Sequence, residues 1–324
     1  IEFVLNPKVK NNPEIKQLPE ENEQLNSITA KIIADSINTR GNRLTTVECE
    51  YPRFIHSEIM THRVFSRNAQ SSRAVPVGST LSANKRHVKP YIWGKNKAGM
   101  SSTEVLTPFK KNLAAFVWNT TAKVCFGASY LLSKVGLHKQ WANRMTEWCS
   151  NIKVVITATE WENFFWLRID PDAAQPEIVE LATQIKAAMD NSTPEALGIG
   201  QWHLPYVFVS RGKNGEADVY LDSLSNKLTL VEAQKISASC CAQISYRRLN
   251  DTKEKAIDIF NKLFSGAKPH LSPTEHQGTP VAEDIPSLKQ QGITHIDVDG
   301  NLWSANFKEW VQFRQTIFTN KEST

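Results

Sequence analysis

An α+β architecture is what the sequence predicts. Two runs rich in β-branched and apolar residues, LTTVECEY at 44–51 and IKVVIT at 152–157, have the length and composition of short strands. Around them, apolar residues recur at three- and four-residue intervals: Leu106, Phe109, Leu113 and Phe116, then Ile178, Leu181, Ile185 and Met189. The 324 residues are 40% hydrophobic and 22% charged, which describes a soluble globular chain, and nine Trp with fourteen Phe supply core material. No apolar run approaches the length needed to span a membrane.

Taken in order, the chain opens on a polar segment predicted to be extended as far as Glu23. IEFVLNPKVKNN lacks the basic, apolar and small-residue parts of a signal peptide, and without an initiator Met, residues are expected to precede it. A helix is predicted across SITAKIIADSI, with Ile28, Ile32 and Ile33 on its buried side, and NTRGNR ends it in a turn at Gly41. After the 44–51 strand, FIHSEIM reads as a short helix with Phe54, Ile55 and Ile59 turned inward. Residues 77–103 form a basic, poorly periodic loop, long enough for a lid or binding element. There Arg86, His87 and Lys89 could reach a phosphate or simply be solvated, while Trp93 pins the loop.

Ser101 and Glu104 have capping-box spacing for a long helix that runs toward Ser133, a candidate scaffold or oligomer contact. Its Trp118, Phe126 and Tyr130 are assigned to the core. Gly136 ends it, and LHKQWANRMTEW starts another helix. Thr159 is predicted to cap EWENFFWLR with Glu162 at N3, and Pro176 opens PEIVELATQIKAAM at N1. HLPYVFV reads as a strand and SRGKNGEADVY contains a turn. LTLVEAQKISASCCAQISY and DTKEKAIDIFNKLF are helical, the latter through Ala256, Ile259, Phe260 and Leu263. Ser272, Pro273 and Glu275 together look like a strong helix start.

Charge concentrates chemical interest in one stretch. Between Ile59 and Thr103 there are eight Lys or Arg and no Asp or Glu, in a chain whose formal net charge is only +5. Such a field attracts anions, and arginine forks suit phosphate or carboxylate oxygens. His62, Arg63, Ser66, Asn68, Ser71 and Arg73 lie close enough together to wrap a small phosphorylated ligand. Charge alone fits a solvated basic loop equally well. The odd set Cys49, Cys125, Cys149, Cys240 and Cys241 suggests neither a disulfide framework nor a zinc site, which points to a reducing, cytoplasmic setting. Cys149 is the nearest candidate nucleophile, in a context that suits helix-end packing as well. His270 and His276 flank Glu275 without a third ligand, so no metal is assigned. Gly198-Ile199-Gly200 lacks the continuation of a dinucleotide fingerprint.

THRVFSRNAQSSRA resembles the signature of the flavin-dependent thymidylate synthases: Arg-His-Arg, seven residues, Ser, and Arg two places on. His62, Arg63, Ser71 and Arg73 match it in type and spacing, with Ser66 and Asn68 between them. Thr61 replaces the first arginine and Ala69 an acidic residue. HKQWANR is similar to the family's Glu-Leu-Ala-Arg segment, which makes Arg144 the equivalent of its phosphate-binding arginine. TATEWENFFWLRIDPDAAQPEI resembles a further block, matching at Asn163, Arg168, Gln175 and Glu177 and departing at Thr157, Thr159 and Asp172. SCCAQISYRRLN, HLSPTEHQ and NFKEWVQFRQ are similar to blocks that in relatives precede the signature or lie near it. On these motifs the chain is identified as a divergent, bacteriophage-type member with rearranged motif order.

The resemblance implies a central mixed or antiparallel sheet flanked by long helices, in a permuted version of the family fold. One catalytic domain over 1–324 is expected, with the signature core at 51–189, a second motif-bearing section at 237–315 and the basic loop at 77–103. The implied reaction is reductive methylation of dUMP to dTMP with bound FAD, methylenetetrahydrofolate as carbon donor and NADPH as reductant. Arg73, Arg144 and Ser71 would meet the nucleotide phosphate and Arg168 the pyrimidine, with Arg168 and Ser71 as catalytic residues. His62, Arg63, Ser66, Asn68, Asn163 and His276 would serve the flavin, and His276 should return to the signature helix. A homotetramer with shared sites is implied, with no membrane and no stable nucleic acid as partner. Asn163 and Arg168, about 140° apart around their helix, could then serve different subunits. Two alternatives stand beside this reading. One is hydroxymethylation, or another one-carbon modification of dUMP or dCMP. The other is a non-enzymatic nucleic-acid-binding module using the basic 63–97 segment.

Overall fold

The computed structural model describes residues 28–83, 87–99, 104–210, 219–222, 225–245, 252–264, 268–282 and 291–319. The polar opening segment, Lys85, Arg86, Ser101, the turn region 211–218 and the RRLN run at 247–250 lie outside the described residues.

A five-stranded sheet organises the molecule. Its strands are β1 (Thr29–Asn38), β2 (Arg43–Pro52), β3 (Ser66–Ala69), β4 (Asn151–Ala158) and β5 (Glu195–Leu197), in the order β3-β4-β2-β1-β5. Every neighbouring pair is antiparallel except β1 with β5, so the sheet is mixed, as expected. The helix predicted over 27–37 is instead strand β1. An isolated helix of that length is marginal in water, whereas β1 finds partners in β2 from Thr29 opposite Glu50 to Ile37 opposite Arg43. Its register shifts between Ile32 and Ala34, and the extra residue explains the two adjacent isoleucines that mimicked a helical face. Gly41, at φ +79°, makes the β1–β2 turn.

The pleat gives the sheet two unlike faces. Val47, Cys49 and Tyr51 of β2 and Ile152, Val154 and Ile156 of β4 form one buried apolar cluster. Against it pack the 3-10 turn Arg53–Ile55 with helix α1 (His56–Met60), which bury Ile55 and Ile59 and leave Phe54 half-buried. Helix α2 (Val77–Ala83) follows on the loop side, and α3 (Pro108–Lys134) and α4 (Lys139–Ala142) lie beyond it. Helices α5 (Glu162–Arg168) and α6 (Pro176–Asp190) complete the layer, and Ile178, Leu181, Ile185 and Met189 of α6 are all buried, as their spacing predicts.

Several capping expectations are corrected. Helix α3 starts at Pro108 after Thr107, while Glu104 pairs with Lys95. The hydroxyl of Thr159 accepts the backbone N–H of Lys308, so it does not cap α5, whose N-cap is Trp161. LHKQWANRMTEW forms one α turn and then the 3-10 segment Asn143–Cys149. Tyr130, assigned to the core, is 49% exposed, because only one side of α3 meets the rest of the chain.

The last third covers the other face of the sheet. The three-residue β6 (Phe208–Ser210) pairs with β7 (Val219–Leu221), and β7 with β8 (Lys227–Leu228), beside helices α7 (Leu230–Ala242) and α8 (Lys253–Phe264). A capping box of Thr229 and Glu232 starts α7. Ser272–Glu275 makes only one 3-10 turn, because the chain is drawn at once into β9 (Gly278–Pro280). Hairpin strands β10 (His295–Ile296), β11 (Leu302–Ser304) and β12 (Phe307–Lys308) come next. Then β13 (Trp310–Gln312), paired with β9, leads into α9 (Phe313–Thr319). Trp310 and Phe307 pack with Leu44 and Leu197.

Leu181→Ala would open a cavity between α6 and the apolar face of the sheet. A loss of about 2–5 kcal/mol is expected, read as a lower urea midpoint with an unchanged denaturant slope.

Candidate active site

Helix α1 places the signature. Glu58 lies on it, and the chain turns at His62 before entering β3. Arg168, at the end of α5, donates from Nε to His62 Nε2 at 3.2 Å, from Nη1 to Glu58 Oε2 at 3.0 Å and from Nη2 to the Thr61 hydroxyl at 3.3 Å. His62 Nε2 is therefore an acceptor, and burial together with Arg168 and Arg67 holds the imidazole below its ordinary range. Phe65 stacks on the His62 ring and Phe164 meets it edge-on. Arg67 donates to the carbonyls of Ile59 and His62, which fixes the turn between α1 and β3.

Beyond β3, Ser71 and Arg73 are exposed, and the Arg73 N–H donates to Ser71 Oγ at 3.3 Å. The segment carrying Arg144 wraps this turn: Asn143 Nδ2 donates to the carbonyls of Ser72 and Val75, and Lys139 Nζ to that of Ala74. Arg144 itself pairs with Glu147 at 2.9 Å, and Glu147 also lies 3.5 Å from Arg53. Arg63 is exposed at the turn after α1, and Asn163 is exposed on α5. The structure thus joins His62 to Arg168 and ties the segment that carries Arg144, through Asn143 and Lys139, to the turn that carries Ser71 and Arg73, while no contact joins Asn163 to Arg168 among the described residues. On the loop, Trp93 packs edge-on against Trp118, as expected of a pin, and His87 bonds Asn119. Glu177 accepts from the Tyr91 N–H and from Gln175, tying this motif pair to the loop.

The second face of the sheet carries a row of hydroxyls. Ser66, Thr157 and Thr46 are cross-strand neighbours on β3, β4 and β2. Each meets a polar side chain from beyond residue 200. Ser66 Oγ accepts from Asn306 Nδ2 at 3.0 Å and Gln312 Nε2 at 3.3 Å; Thr157 Oγ1 lies 2.8 Å from His276 Nδ1; Thr46 Oγ1 lies 2.8 Å from His203 Nε2. Nearby, Asn68 Nδ2 reaches the Cys241 carbonyl at 3.4 Å and Ser245 Oγ accepts the Ser71 N–H at 2.9 Å. Gln312 Nε2 also donates to the Glu275 carbonyl, so the turn holding His276 returns to the signature strand. Burial pushes both His203 and His276 down to about 3, with nearby Asp35 opposing the shift at His203. Cys149 is buried and its thiol is pushed up to about 12, a poor nucleophile.

Sequence reading missed Glu58, His203, Asn306 and Gln312. Glu58 had a usable signal, being the only acid beside a cluster of bases. The other three are isolated polar residues whose partners come from distant strands.

An imidazole held neutral in the fold binds fewer protons than in the unfolded chain, where it titrates near 6.5. His203 and His276 therefore cost little above about 6.5, and stability falls as the pH drops toward about 3. Lowering the pH from about 6.5 to about 5.5 should remove about 2 kcal/mol for the pair. Urea midpoints measured across that window should show the slope, and a His203→Gln, His276→Gln double variant should flatten it.

Residues 43–195 match the family model described as thymidylate synthase complementing protein. Among solved structures, a UMP/dUMP methylase PolB from Streptomyces cacaoi bound with 5-Br UMP is similar at 17% identity and a TM-score of 0.40, covering 50% of this chain and 88% of that one. The same methylase bound with 5-Br dUMP gives 16% identity and a TM-score of 0.40, covering 50% and 89%. No curated protein matches the chain. Over residues 43–195, the span that holds the His62–Arg73 signature, Arg144, Asn163 and Arg168, the chain is homologous to the thymidylate synthase complementing proteins.

Proposed function

We propose that the chain methylates dUMP reductively to dTMP, using bound FAD, methylenetetrahydrofolate as carbon donor and NADPH as reductant. The homology of residues 43–195 supports an enzyme of this kind. The observation that carries the reading is the 3.2 Å bond from Arg168 to His62, which joins two motifs 106 residues apart into one site.

The residues present suit a flavin nucleotide. Arg63 is exposed and has no ion pair among the described residues, and the buried His276 Nε2 lacks a hydrogen-bond partner. FAD, when bound, supplies the hydride chemistry that the side chains cannot. His62, Arg63, Ser66, Asn68, Asn163 and His276 would hold it. Arg73 and Ser71 would receive the nucleotide phosphate, joined by Arg144, whose departure leaves Glu147 still paired with Arg53. Arg168, aimed by Glu58 and His62, would face the pyrimidine oxygen and stabilise negative charge developing on the activated ring. His276 bonds Thr157 on β4, beside the signature strand, and Gln312 bonds Ser66 on that strand, which supports reading the 237–315 blocks as rearranged family motifs.

A second product class has an observation of its own. Thr157 stands where relatives carry asparagine, and its hydroxyl is committed to His276 and Thr46, so the flavin side is built from different groups. Such a change leaves room for hydroxymethylation, or for dCMP as substrate. Product analysis with both nucleotides distinguishes the readings.

The exposed stripe of α3 supports a homotetramer. Phe109, Leu113, Phe116, Val124 and Leu131 are 78%, 55%, 66%, 65% and 64% exposed at helical spacing. Beside them is a cleft of about 590 Å³ bordered by Trp93, Trp118 and Trp148.

The purified protein should show a flavin absorption spectrum with added FAD, and dUMP should shift it. A folded protein that binds no FAD but binds nucleic acid in a salt-sensitive way would be a binding module instead. Arg73→Ala should weaken dUMP binding by about 1.5–3 kcal/mol in calorimetry. Phe116→Glu should lower the mass seen in sedimentation equilibrium, and a monomeric parent protein would count against the tetramer.

A further inference from the structure

Helix α3 meets the rest of the chain at Ala122, which is fully buried, and leaves its opposite side open. On that side Leu113, Phe116, Val117, Val124 and Leu131 fall within about 100° of one another around the axis. All five are more than half exposed. Gly127 shares the same side. A glycine inside a helix weakens it. Beyond the helix's own backbone, no group among the described residues lies within 4 Å of where its Cβ would stand. Nothing in its own chain calls for the missing side chain.

The two halves of this stripe differ in size and match in spacing. Phe116 and Val117 precede Ala122 in the chain by nearly the distance at which Gly127 and Ala128 follow it. Leu113 and Leu131 are equidistant from Ala122, and so are Thr120 and Val124. A second α3 laid antiparallel across the first, with a twofold axis level with Ala122, sets Phe116 against Gly127 and Val117 against Ala128. It does so in both directions at once, with Leu113 against Leu131. Such a surface is its own complement, and large groups face small ones. A parallel pair would instead stack Phe116 on Phe116 and Gly127 on Gly127, crowding one level and leaving a gap at the other. Charge favours the same orientation. The first turn of α3 holds no acidic residue, and Lys110 stands at the positive end of its own helix. In the antiparallel pair it lies beside the C-terminal carbonyls of the second copy, which attract a cation.

We propose that α3 is the surface through which two copies of this chain pair, antiparallel about Ala122, with Phe116 of each copy seated over Gly127 of the other. The cleft bordered by Trp93, Trp118 and Trp148 shares Leu113 and Val117 with the stripe, so the second helix closes it as well. This pairing supplies the homotetramer reading above with one contact that it needs. It stands on α3 alone, however, and a dimer satisfies it whatever the chain catalyses.

Cross-linking of the whole chain decides the orientation. Leu113→Cys and Leu131→Cys are made singly and together in a Cys125→Ser background, then treated with a short bismaleimide. The double variant should give covalent dimers, because the two positions are about 27 Å apart within one helix and adjacent between antiparallel copies. Neither single variant should link to itself, since identical positions then lie about 27 Å apart along the pair. A single variant that links to itself, or a double variant that does not link, overturns the proposal. Gly127→Phe should raise the dissociation constant of the pair about tenfold or more in sedimentation velocity, with the helical circular dichroism unchanged. The size swap Phe116→Gly, Gly127→Phe should restore pairing. A Gly127→Phe protein that pairs as tightly as the parent overturns the proposal. A tetramer without the 113–131 cross-link would sink this pairing and leave the tetramer reading in force, whereas a cross-linked dimer that assembles no further would do the reverse. A monomeric parent ends both.

Discussion

The row of hydroxyls on Ser66, Thr157 and Thr46 is the constraint on which much of the structure depends. A sheet face lined with hydroxyls cannot be covered by apolar side chains alone, because each buried hydroxyl needs a partner. Asn306 with Gln312, His276 and His203 supply those partners in the same order across the strands. Pairing these groups decides which parts of the last third lie on which strand. It therefore ties β9, β13 and the His276 turn to the signature strand. The apolar face opposite has no such specificity, and packs by volume and shape.

The same division separates strength from chemistry. Leu181 and Ile185 of α6, Ile152, Val154 and Ile156 of β4, and Val47 of β2 hold helices α5 and α6 against the sheet. Rigidity there is what allows Arg168 to reach across from the end of α5 to His62 and Glu58. A guanidinium held by a carboxylate, an imidazole and a hydroxyl has little freedom left, so its charge is already aimed before any ligand arrives. Arg63 and Arg73, in contrast, remain exposed. Fixed charge at Arg168 and exposed charge at Arg63 and Arg73 suit the two-ended nucleotide ligand proposed above.

Local patterning accounts for what could be read directly. The apolar spacing of Ile178, Leu181, Ile185 and Met189, the proline opening α6, Gly41 at a turn and the strands around Val47 and Val154 all express short-range rules, and all are found. Capping was less legible. Thr159 and Ser272 have the right chemistry to start helices, but in the fold a distant backbone group claims the first and a strand pairing shortens the second. Ile28, Ile32 and Ile33 look helical until the bulge and the β2 partner are known.

The sequence by itself determined the signature, its basic field and the separation between apolar helices and short strands, because these depend on residue types a few positions apart. Only the tertiary structure decided that β1 is a strand, that Arg168 meets His62, and that His203 and His276 share one line of hydrogen bonds. The contacts of Arg168, His203 and His276 join groups more than a hundred residues apart in the chain, which no local spacing records. Burial and hydrogen-bond pairing select among long-range partners, and that selection exists only once the chain has folded.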